Sequence, residues 1–475
     1  MIVTSDTNNA NSGAMSHEKA LYESADQLLN SNKALQTQVF ESSKGRRSQK
    51  TIGIADLCEG ISSARTQQQT ALMLENTRNW LYGMNEATRA INIGDYERYA
   101  FQMVRAVFPN VIAHEIVSVQ PLLGPTGLVF YMRYLYSKTK GKALAGQDIH
   151  ENPNIHYSSE FVSGESVGAQ GSTNYTGNLD YLPVRATTVT FTDGAQLVTD
   201  DGQGNLVGDV NGGGNNTINY ATGAFDFTFA ATAANDVEAN YEYDSENNED
   251  LQGIDLNIEA SPVLARVRKL RTRTSLEASQ DLRAVHGLEA ELELLAAATN
   301  EIKFEIDQNI ISQLQSVAAA PSPTQFSRTA PSGISYTEHK LSFIDTLVEA
   351  SNNIFKATQR AEGNWIVAGM NVMNIIQTLP GFRGDGKIQG RGVYRAGTLN
   401  DRWTIYRNSY IGDNEYLVGH KGESMYDTGY VWAPYQPVYT TPSVVLDDFQ
   451  VRKGIASRNA QKVVDPRFYC KGSIA

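Results

Sequence analysis

One block of this chain, residues 158–250, constrains the fold more than any other feature. It contains fifteen carboxylates and a single basic residue, Arg185, a net charge of −14 in a chain whose total is −12. Charges of one sign at this density are too costly to bury, so the block must stand in solvent. Short alternating runs at 187–191 and 225–229, separated by Asp-Gly and Gly-rich turns, predict an antiparallel β module inserted into a different protein.

The remaining composition is that of an ordinary globular protein. A chain of 475 residues with 41% hydrophobic content is long enough for two or three domains with a real core. Its two cysteines, Cys58 and Cys470, cannot support a disulfide framework, so we expect reduced thiols. We find no signal-peptide core and no run of about 20 apolar residues, so we expect a protein made without export and without a membrane partner. The acidic total argues against a dedicated nucleic-acid-binding protein.

The N-terminal segment has a character of its own. Leu21, Ala25, Leu28, Leu35 and Val39 recur at helical intervals and predict one face of a helix. Residues 42–47 then predict an exposed basic linker. Two interpretations stay open, a narrow seam for a partner helix or a frayed terminal helix packed on the body.

Two basic segments flank the acidic block. The turn-rich residues 121–127, the apolar and aromatic run 128–136 and the lysine-rich residues 137–142 predict a long hairpin arm with a basic tip. On the other side, residues 266–273 predict a compact basic strand. The acidic and basic strips could pair within one subunit or across two, and a solvated surface is the alternative for both basic segments.

The C-terminal half begins with helices. Ser275 opens a helical region, Gly287 breaks it, and a stripe from Leu288 to Val317 predicts a rod of roughly 45 Å over about 30 residues. A further helix is predicted over about 338–360, with these side chains inward: Leu341, Ile344, Val348 and Phe355. From Trp365 onward, short strands and turns predict an α/β region.

The search for chemistry finds no catalytic, cofactor-binding or metal-binding residues. His114-Glu115 begins a zinc-protease pattern but lacks the second histidine. Residues 381–388 resemble a phosphate loop, yet Ile388 stands where a hydroxyl must hold magnesium, so we interpret them as a glycine-rich surface loop. Residues 200–202 fit a solvated turn better than a calcium loop. An enzyme binding nucleotide through Lys387 remains an alternative that the sequence disfavours.

Four short stretches resemble the major capsid protein of T-even-like tailed bacteriophages. They are residues 124–128, 280–291, 415–419 and 433–435, and the second is a dozen residues without low complexity. The resemblance covers most of the chain from about residue 60. It implies an α+β protein with the HK97-type capsid fold: an N-terminal arm, an E-loop, a long spine helix, an axial α/β domain and here an inserted antiparallel β domain facing outward.

The resemblance also implies a division of the chain. The expected parts are 1–59, an N-terminal propeptide or scaffold-interacting segment; 60–120, the N-terminal arm and the start of the peripheral domain; 121–157, the E-loop; 158–250, the acidic inserted β domain; 251–335, the E-loop return and the peripheral domain with the spine; and 336–475, the axial domain and the return to the peripheral domain.

Capsid proteins of this group lose an N-terminal segment to a protease that cuts after glutamate in a Leu/Ile-x-Glu pattern. The pattern occurs at 21–23, 57–59 and 347–349. Glu349 is expected to be protected within a helix. The candidate cleavage is Glu59–Gly60, which would remove the N-terminal helix and its basic linker and leave 416 residues.

The function implied is a structural one, with no enzyme activity and no cofactor. The chain is expected to be made in the host cytoplasm and to assemble with itself, as hexamers or pentamers, into the icosahedral head of the virion around double-stranded DNA. Further expected partners are the portal, the scaffold, the maturation protease, decoration proteins and, non-specifically, the packaged DNA. The candidate inter-subunit contacts are Lys138, Lys140, Lys142, Arg266, Arg268, Lys269, Arg271 and Arg273.

Two alternatives remain beside this function. One is a five-fold vertex paralogue of the same family. The other is a surface adhesin acting through the acidic module, which would need exposed aromatic side chains, with Tyr175, Tyr181 and Tyr220 as candidates.

Overall fold

The computed structural model describes residues 23, 25–30, 34–41, 47–61, 63–87, 104–105, 107–247, 251–286, 288–386, 392–424, 427–441, 444–445 and 450–475. The chain divides into two compact units. The larger unit contains residues 1–131 and 258–475, and the smaller unit, residues 132–257, is inserted between these two parts. Helices and strands are mixed throughout, so the α+β class is confirmed.

The larger unit is built around a 28-residue spine helix. At 1.5 Å per residue this helix is about 42 Å long. Leu295, Ile302, Ile306 and Ile310 follow the predicted stripe and are buried in the main core. The helices, in chain order, are α1 (Ile54–Cys58), α2 (Ala64–Ala87), α3 (Ala113–Ile116), α4 (Leu276–His286), the spine α5 (Ala290–Val317), α6 (Tyr336–Leu341), α7 (Phe343–Thr358) and α8 (Met370–Ile376).

The first strands of the chain include a separate hairpin and an arm. They are β1 (Ala34–Glu41), β2 (Arg47–Gly53), β3 (Ser118–Val119) and β4 (Thr126–Tyr136). Strands β1 and β2 pair with each other in antiparallel register. Strand β4 lies where the apolar and aromatic run predicted it.

The smaller unit has its own strands and its own core. Its strands are β5 (Phe161–Gly168), β6 (Asn174–Asn178), β7 (Thr190–Thr192), β8 (Leu197–Asp200), β9 (Leu206–Gly208), β10 (Thr217–Ile218), β11 (Ala224–Thr228) and β12 (Val237–Glu242). They form a five-stranded sheet in the order β5-β12-β7-β8-β9 and a three-stranded sheet in the order β10-β11-β6. Phe191, Phe227 and Tyr241 are fully buried in its core. The acidic block therefore folds as the antiparallel β module that its alternation predicts.

The chain then returns through the arm to a sheet packed on the spine. The next strands are β13 (Ile254–Leu264) and β14 (Arg266–Ser275), and β13 pairs with β4 as a two-stranded arm. The local pattern predicted that the segment directly after β4 is its partner, and this is wrong: the partner is a strand that begins beyond residue 250, in the part expected to contain the E-loop return. A lone hairpin tip at 137–142 does not form, because the chain continues there into the smaller unit.

Two sheets complete the larger unit. The remaining strands are β15 (Trp365–Ala368), β16 (Phe382–Gly384), β17 (Tyr394–Leu399), β18 (Trp403–Arg407), β19 (Glu415–Gly419), β20 (Tyr430–Thr440), β21 (Val444–Val445), β22 (Gln450–Val463) and β23 (Tyr469–Ser473). One sheet has the order β14-β22-β20-β3, with β21 beside β22, and the other has the order β16-β17-β18-β15-β19-β23. The second sheet packs with α7 and α8, as the predicted α/β region requires.

Two predictions about helices are wrong. Residues 25–30 are helical, but Leu35 and Val39 lie in β1, so the predicted stripe does not continue on one helix. The predicted helix over 338–360 is two helices that meet at Ser342. Its buried face is that of Leu347 and Ile354, and two residues predicted to point inward, Leu341 and Phe355, are 43% and 44% exposed.

Candidate assembly surfaces

The arm carries a partly exposed apolar row. Along β13, Ile254, Leu256 and Leu264 lie on one face of the strand and are 63%, 42% and 62% exposed, whereas Ile258 on the same face is buried. Leu128 of β4 is also exposed. The polar residues of β13 lie on the opposite face, where the hydroxyl of Tyr131 donates a 2.5 Å hydrogen bond to Glu259.

Large apolar side chains exposed on the face of a sheet are unusual. In a solvated antiparallel sheet the apolar face packs on a core and the polar face meets water. A two-stranded ribbon has little stability of its own, and large apolar side chains in a row on its surface mark an interaction site. The exposed part of this face is therefore a candidate interaction surface.

The three lysines that follow β4 do not form an exposed tip. Lys140, a candidate inter-subunit contact, is 1% exposed, so that prediction is corrected. Its Nζ donates to the carbonyl oxygens of Tyr157 and Ser159 and lies 5.0 Å from the centre of the Tyr243 ring. Burial lowers the pKa of Lys140 to about 8. This lysine anchors its loop within the smaller unit.

The other two lysines of this segment keep contact with solvent. Lys142 is 63% exposed and forms a 2.9 Å ion pair with Glu238 of β12. Lys138 is half-buried, and its backbone N–H and carbonyl both bond the hydroxyl of Tyr157. Of the three lysines predicted at the tip, only Lys138 and Lys142 therefore remain in contact with solvent, and both also make contacts within their own subunit.

The predicted basic strand is confirmed as β14, an edge strand that divides its cations between two faces. The register with β22 places Arg268 and Leu270 on the face that packs toward the spine. There Arg268 lies 3.5 Å from Glu305 of α5. The other face carries three exposed cations of β14: Lys269, Arg271 and Arg273.

A groove of about 640 Å³ lies between the spine and the start of β14. Arg266, Arg268 and Lys462 line it together with four side-chain amides, those of Asn309, Gln313, Asn459 and Gln461. Asn309 donates a 2.7 Å hydrogen bond to Gln461, while the Gln461 Nε2 is buried without a hydrogen-bond partner. Cations together with the unbonded amide N–H groups of Gln461 suit an extended acidic segment.

The candidate cleavage site is accessible. Glu59 and Gly60 are exposed directly after α1, and Gly60 has a φ of +87° with open space around the position of a Cβ. The residues just before the site are not accessible, because Ile54, Leu57 and Cys58 are buried in the main core. Burial raises the pKa of the Cys58 thiol to about 11. Glu349 lies in α7 as predicted, where its carboxylate bonds Thr324.

The described residues of the zinc-protease and phosphate-loop patterns do not form either site. His114 is buried between Phe108 and Trp432, and burial, with a contribution from Lys421, lowers its pKa to about 3. Among the described residues no group of three or more His, Cys, Asp or Glu side chains could hold a metal ion. Residues 382–384 of the phosphate-loop resemblance form a strand rather than a loop, and Lys387 lies outside the described residues.

The acidic module shows no aromatic platform at the predicted positions. Tyr175 and Tyr181 are 6% and 5% exposed, and Tyr220 packs against the same core. The turn at 200–202 is a solvated one as predicted, since Asp200 accepts hydrogen bonds from the backbone N–H groups of Thr187 and Gly202. The adhesin hypothesis loses the side chains on which it depended.

Sequence reasoning missed the arm face and the groove. The sequence did contain a signal for the arm face: apolar and polar side chains alternate from residue 254 to residue 261, a pattern that predicts a strand directly after the acidic block. The groove gave no signal, because its walls come from residues about 200 positions apart that only the register of β14 and β22 brings together.

The comparisons with known proteins agree on one family. A family model described as "Major capsid protein Gp23" matches residues 93–473. The major capsid protein of Vibrio phage KVP40 is 27% identical over 400 residues, which cover 76% of this chain and 74% of that protein. The major capsid protein of Enterobacteria phage T4 is 26% identical over 384 residues, which cover 75% of this chain and 73% of that protein.

Solved capsid structures also match, at low identity. The capsid of Myoviridae phage XM1 is 8% identical with a TM-score of 0.32, covering 48% of this chain and 80% of that chain. The capsid of an empty GTA particle is 13% identical with a TM-score of 0.33, covering 48% of this chain and 79% of that chain. No helix within the described residues is long and apolar enough to cross a membrane. Because the family model spans about four-fifths of the sequence, this chain belongs to the family of major capsid proteins described as Gp23.

Proposed function

We propose that this chain assembles with copies of itself, as hexamers or pentamers, into the icosahedral head of a tailed bacteriophage that encloses double-stranded DNA. Family membership supports this function. The observation that carries it is the exposed part of the apolar row of the arm, Ile254, Leu256 and Leu264, which is stabilised when another copy covers it. A closed shell then combines many modest interfaces into a stable container.

Two further contacts between copies follow from the charged surfaces. The groove beside the spine, with Arg266 and Arg268, receives an acidic segment of an adjacent copy. Lys138 and Lys142 contact the adjacent copy at the far end of the arm. The acidic inserted domain faces outward, where the curvature of the shell separates like charges best.

Assembly is coupled to processing. We assign the cut to Glu59–Gly60, where the maturation protease of the phage reaches an exposed bond. The portal, the scaffold and decoration proteins complete the set of protein partners. A subunit of the five-fold vertices would use the same arm, and the position of this chain in particle images separates that alternative from the hexamer role.

The test places charge on the apolar row of the arm. The full chain with Ile254→Asp and Leu256→Asp is expressed with the accessory phage proteins, and particles are counted by electron microscopy and sedimentation. We expect soluble subunits without shells, because two carboxylates cannot be buried in an apolar interface. Circular dichroism confirms that the variant folds.

A matched control puts the same charges on the other face of β13. Asn257→Asp and Ser261→Asp also add two carboxylates, but to the polar side of the strand. This variant is expected to form shells. If the Ile254/Leu256 variant also assembles at the parental yield, the arm does not bind adjacent copies and the proposal loses its main support.

A further inference from the structure

The face of β14 that points away from the spine continues across β22. Residues opposite each other in an antiparallel pair share a face, and the register places Val267 opposite Arg458 and Arg273 opposite Arg452. The face, which we name the basic face, consists of Val267, Lys269, Arg271 and Arg273 of β14 and Gln450, Arg452, Gly454, Ala456 and Arg458 of β22. Among these described residues there are five cations and no carboxylate.

The cations of the basic face are regularly spaced. Successive residues on one face of an extended strand are about 6.8 Å apart, so Lys269, Arg271 and Arg273 form a straight row. All three are exposed. A mainly apolar depression of about 520 Å³ beside the row is lined by Leu270, Ile455, Ala456 and Tyr439, with Lys269, Arg271 and Arg452 at its edge. A flat row of evenly spaced cations suits a partner whose negative charges also repeat evenly.

The acidic inserted domain of a second copy is the other candidate partner, and several of its carboxylates are already bonded within the domain. Asp193 accepts hydrogen bonds from the backbone N–H groups of three residues. Arg185 holds two more carboxylates, and Lys142 holds Glu238. Side chains already bonded within their own domain have few oxygens left for a row of arginines.

We propose that the basic face binds the sugar-phosphate backbone of double-stranded DNA without reading its sequence. Arginine binds phosphate oxygens through its planar fork of N–H donors, and each contact releases condensed counterions from the DNA. This inference rests on the proposed function, because a head subunit meets a genome on one side of the shell. The new element of the proposal is that the basic face of β14 and β22 lies on the side of the shell that meets the genome.

The experiment measures binding of unassembled full-length chain to a fluorescent DNA duplex by anisotropy, over a range of salt concentrations. The probe variant combines Lys269→Gln, Arg271→Gln and Arg273→Gln. Loss of three phosphate contacts should lower the magnitude of the slope of log K against log salt by about 2.7. Binding at low salt should weaken about tenfold or more.

A control triple variant changes the total charge equally at three exposed cations on other surfaces: Arg328→Gln, Lys356→Gln and Arg383→Gln. It should keep the parental slope, and circular dichroism checks the fold of both variants. Equal slopes in the probe and control variants would overturn the proposal. So would a probe variant that keeps DNA affinity but no longer forms shells, since the basic face would then be a contact between copies. Because DNA binding is measured on unassembled subunits, loss of DNA binding and loss of shell formation are recorded as separate outcomes.

Discussion

A single aspartate holds a large part of the inserted domain together. Asp193 is 2% exposed and accepts backbone hydrogen bonds from Ala195, Gln196 and Ala234, which joins the start of the β7–β8 turn to a loop 41 residues away. These bonds, led by that of Gln196, lower the pKa of Asp193 to about 2. An asparagine supplies one acceptor oxygen where the carboxylate supplies two. We expect Asp193→Asn to destabilise this domain by about 1–3 kcal/mol.

The pH dependence of that effect has a definite sign. Because the pKa of Asp193 is lower in the folded state than its ordinary value of 3.8, its stabilisation is present above about pH 4 and is lost as the pH falls toward 2. Hydrogen exchange over residues 190–200 should therefore differ between Asp193→Asn and the parent at pH 6, and the difference should shrink toward pH 2. Asp236→Asn, which removes a carboxylate that accepts one exposed backbone bond, is the control and should change exchange little. A constant difference at every pH would contradict the assignment.

At the scale of elements, the successive helices α6 and α7 allow a comparison of two leucines. Leu347 is fully buried against the six-stranded sheet, whereas Leu341 of α6 is 43% exposed, although the sequence pattern predicted the second to be buried. Leu347→Ala should lower the free energy of unfolding by about 2–5 kcal/mol, and Leu341→Ala by less than about 0.5 kcal/mol. Urea unfolding followed by the fluorescence of Trp365 and Trp403 measures both. Equal losses of free energy of unfolding in the two variants would contradict the assignment of Leu347 to the buried face and Leu341 to the exposed face.

The elements that the sequence predicts correctly are those with long periodic patterns. The spine repeats its apolar stripe over many turns, and β4 has a continuous apolar and aromatic run. Leu35 and Val39 are four positions apart, a spacing that fits one face of a helix and one face of a strand equally well, so the periodicity could not identify β1. The partner strand of β4 lies 128 positions away at the Tyr131–Glu259 contact, and the residues that bury Lys140 lie 17 to 103 positions away. Local patterns carry no information on such contacts.

At the scale of the whole molecule, the accessible bond at Glu59 adjoins a buried segment. Ile54, Leu57 and Cys58 are part of the main core, together with Leu72 and Met73 of α2. Each buried aliphatic side chain of this size contributes about 2–5 kcal/mol. A cut after Glu59 leaves these side chains held only by packing, so their departure exposes an apolar surface on the body.

We therefore expect cleavage to change the body as well as shorten the chain. Co-expression with the maturation protease should give a product of the mass of 416 residues, and Glu59→Gln should abolish it, while Glu349→Gln, in a helix and bonded to Thr324, should leave it unchanged. Cleaved subunits kept from assembling should bind a hydrophobic dye more strongly than uncleaved ones, because the core position of α1 becomes empty. Within shells the increase should be smaller, since adjacent copies cover apolar surface. Cleavage at another glutamate, or unchanged dye binding after the cut at Glu59, would show that α1 is not the segment whose release alters the subunit.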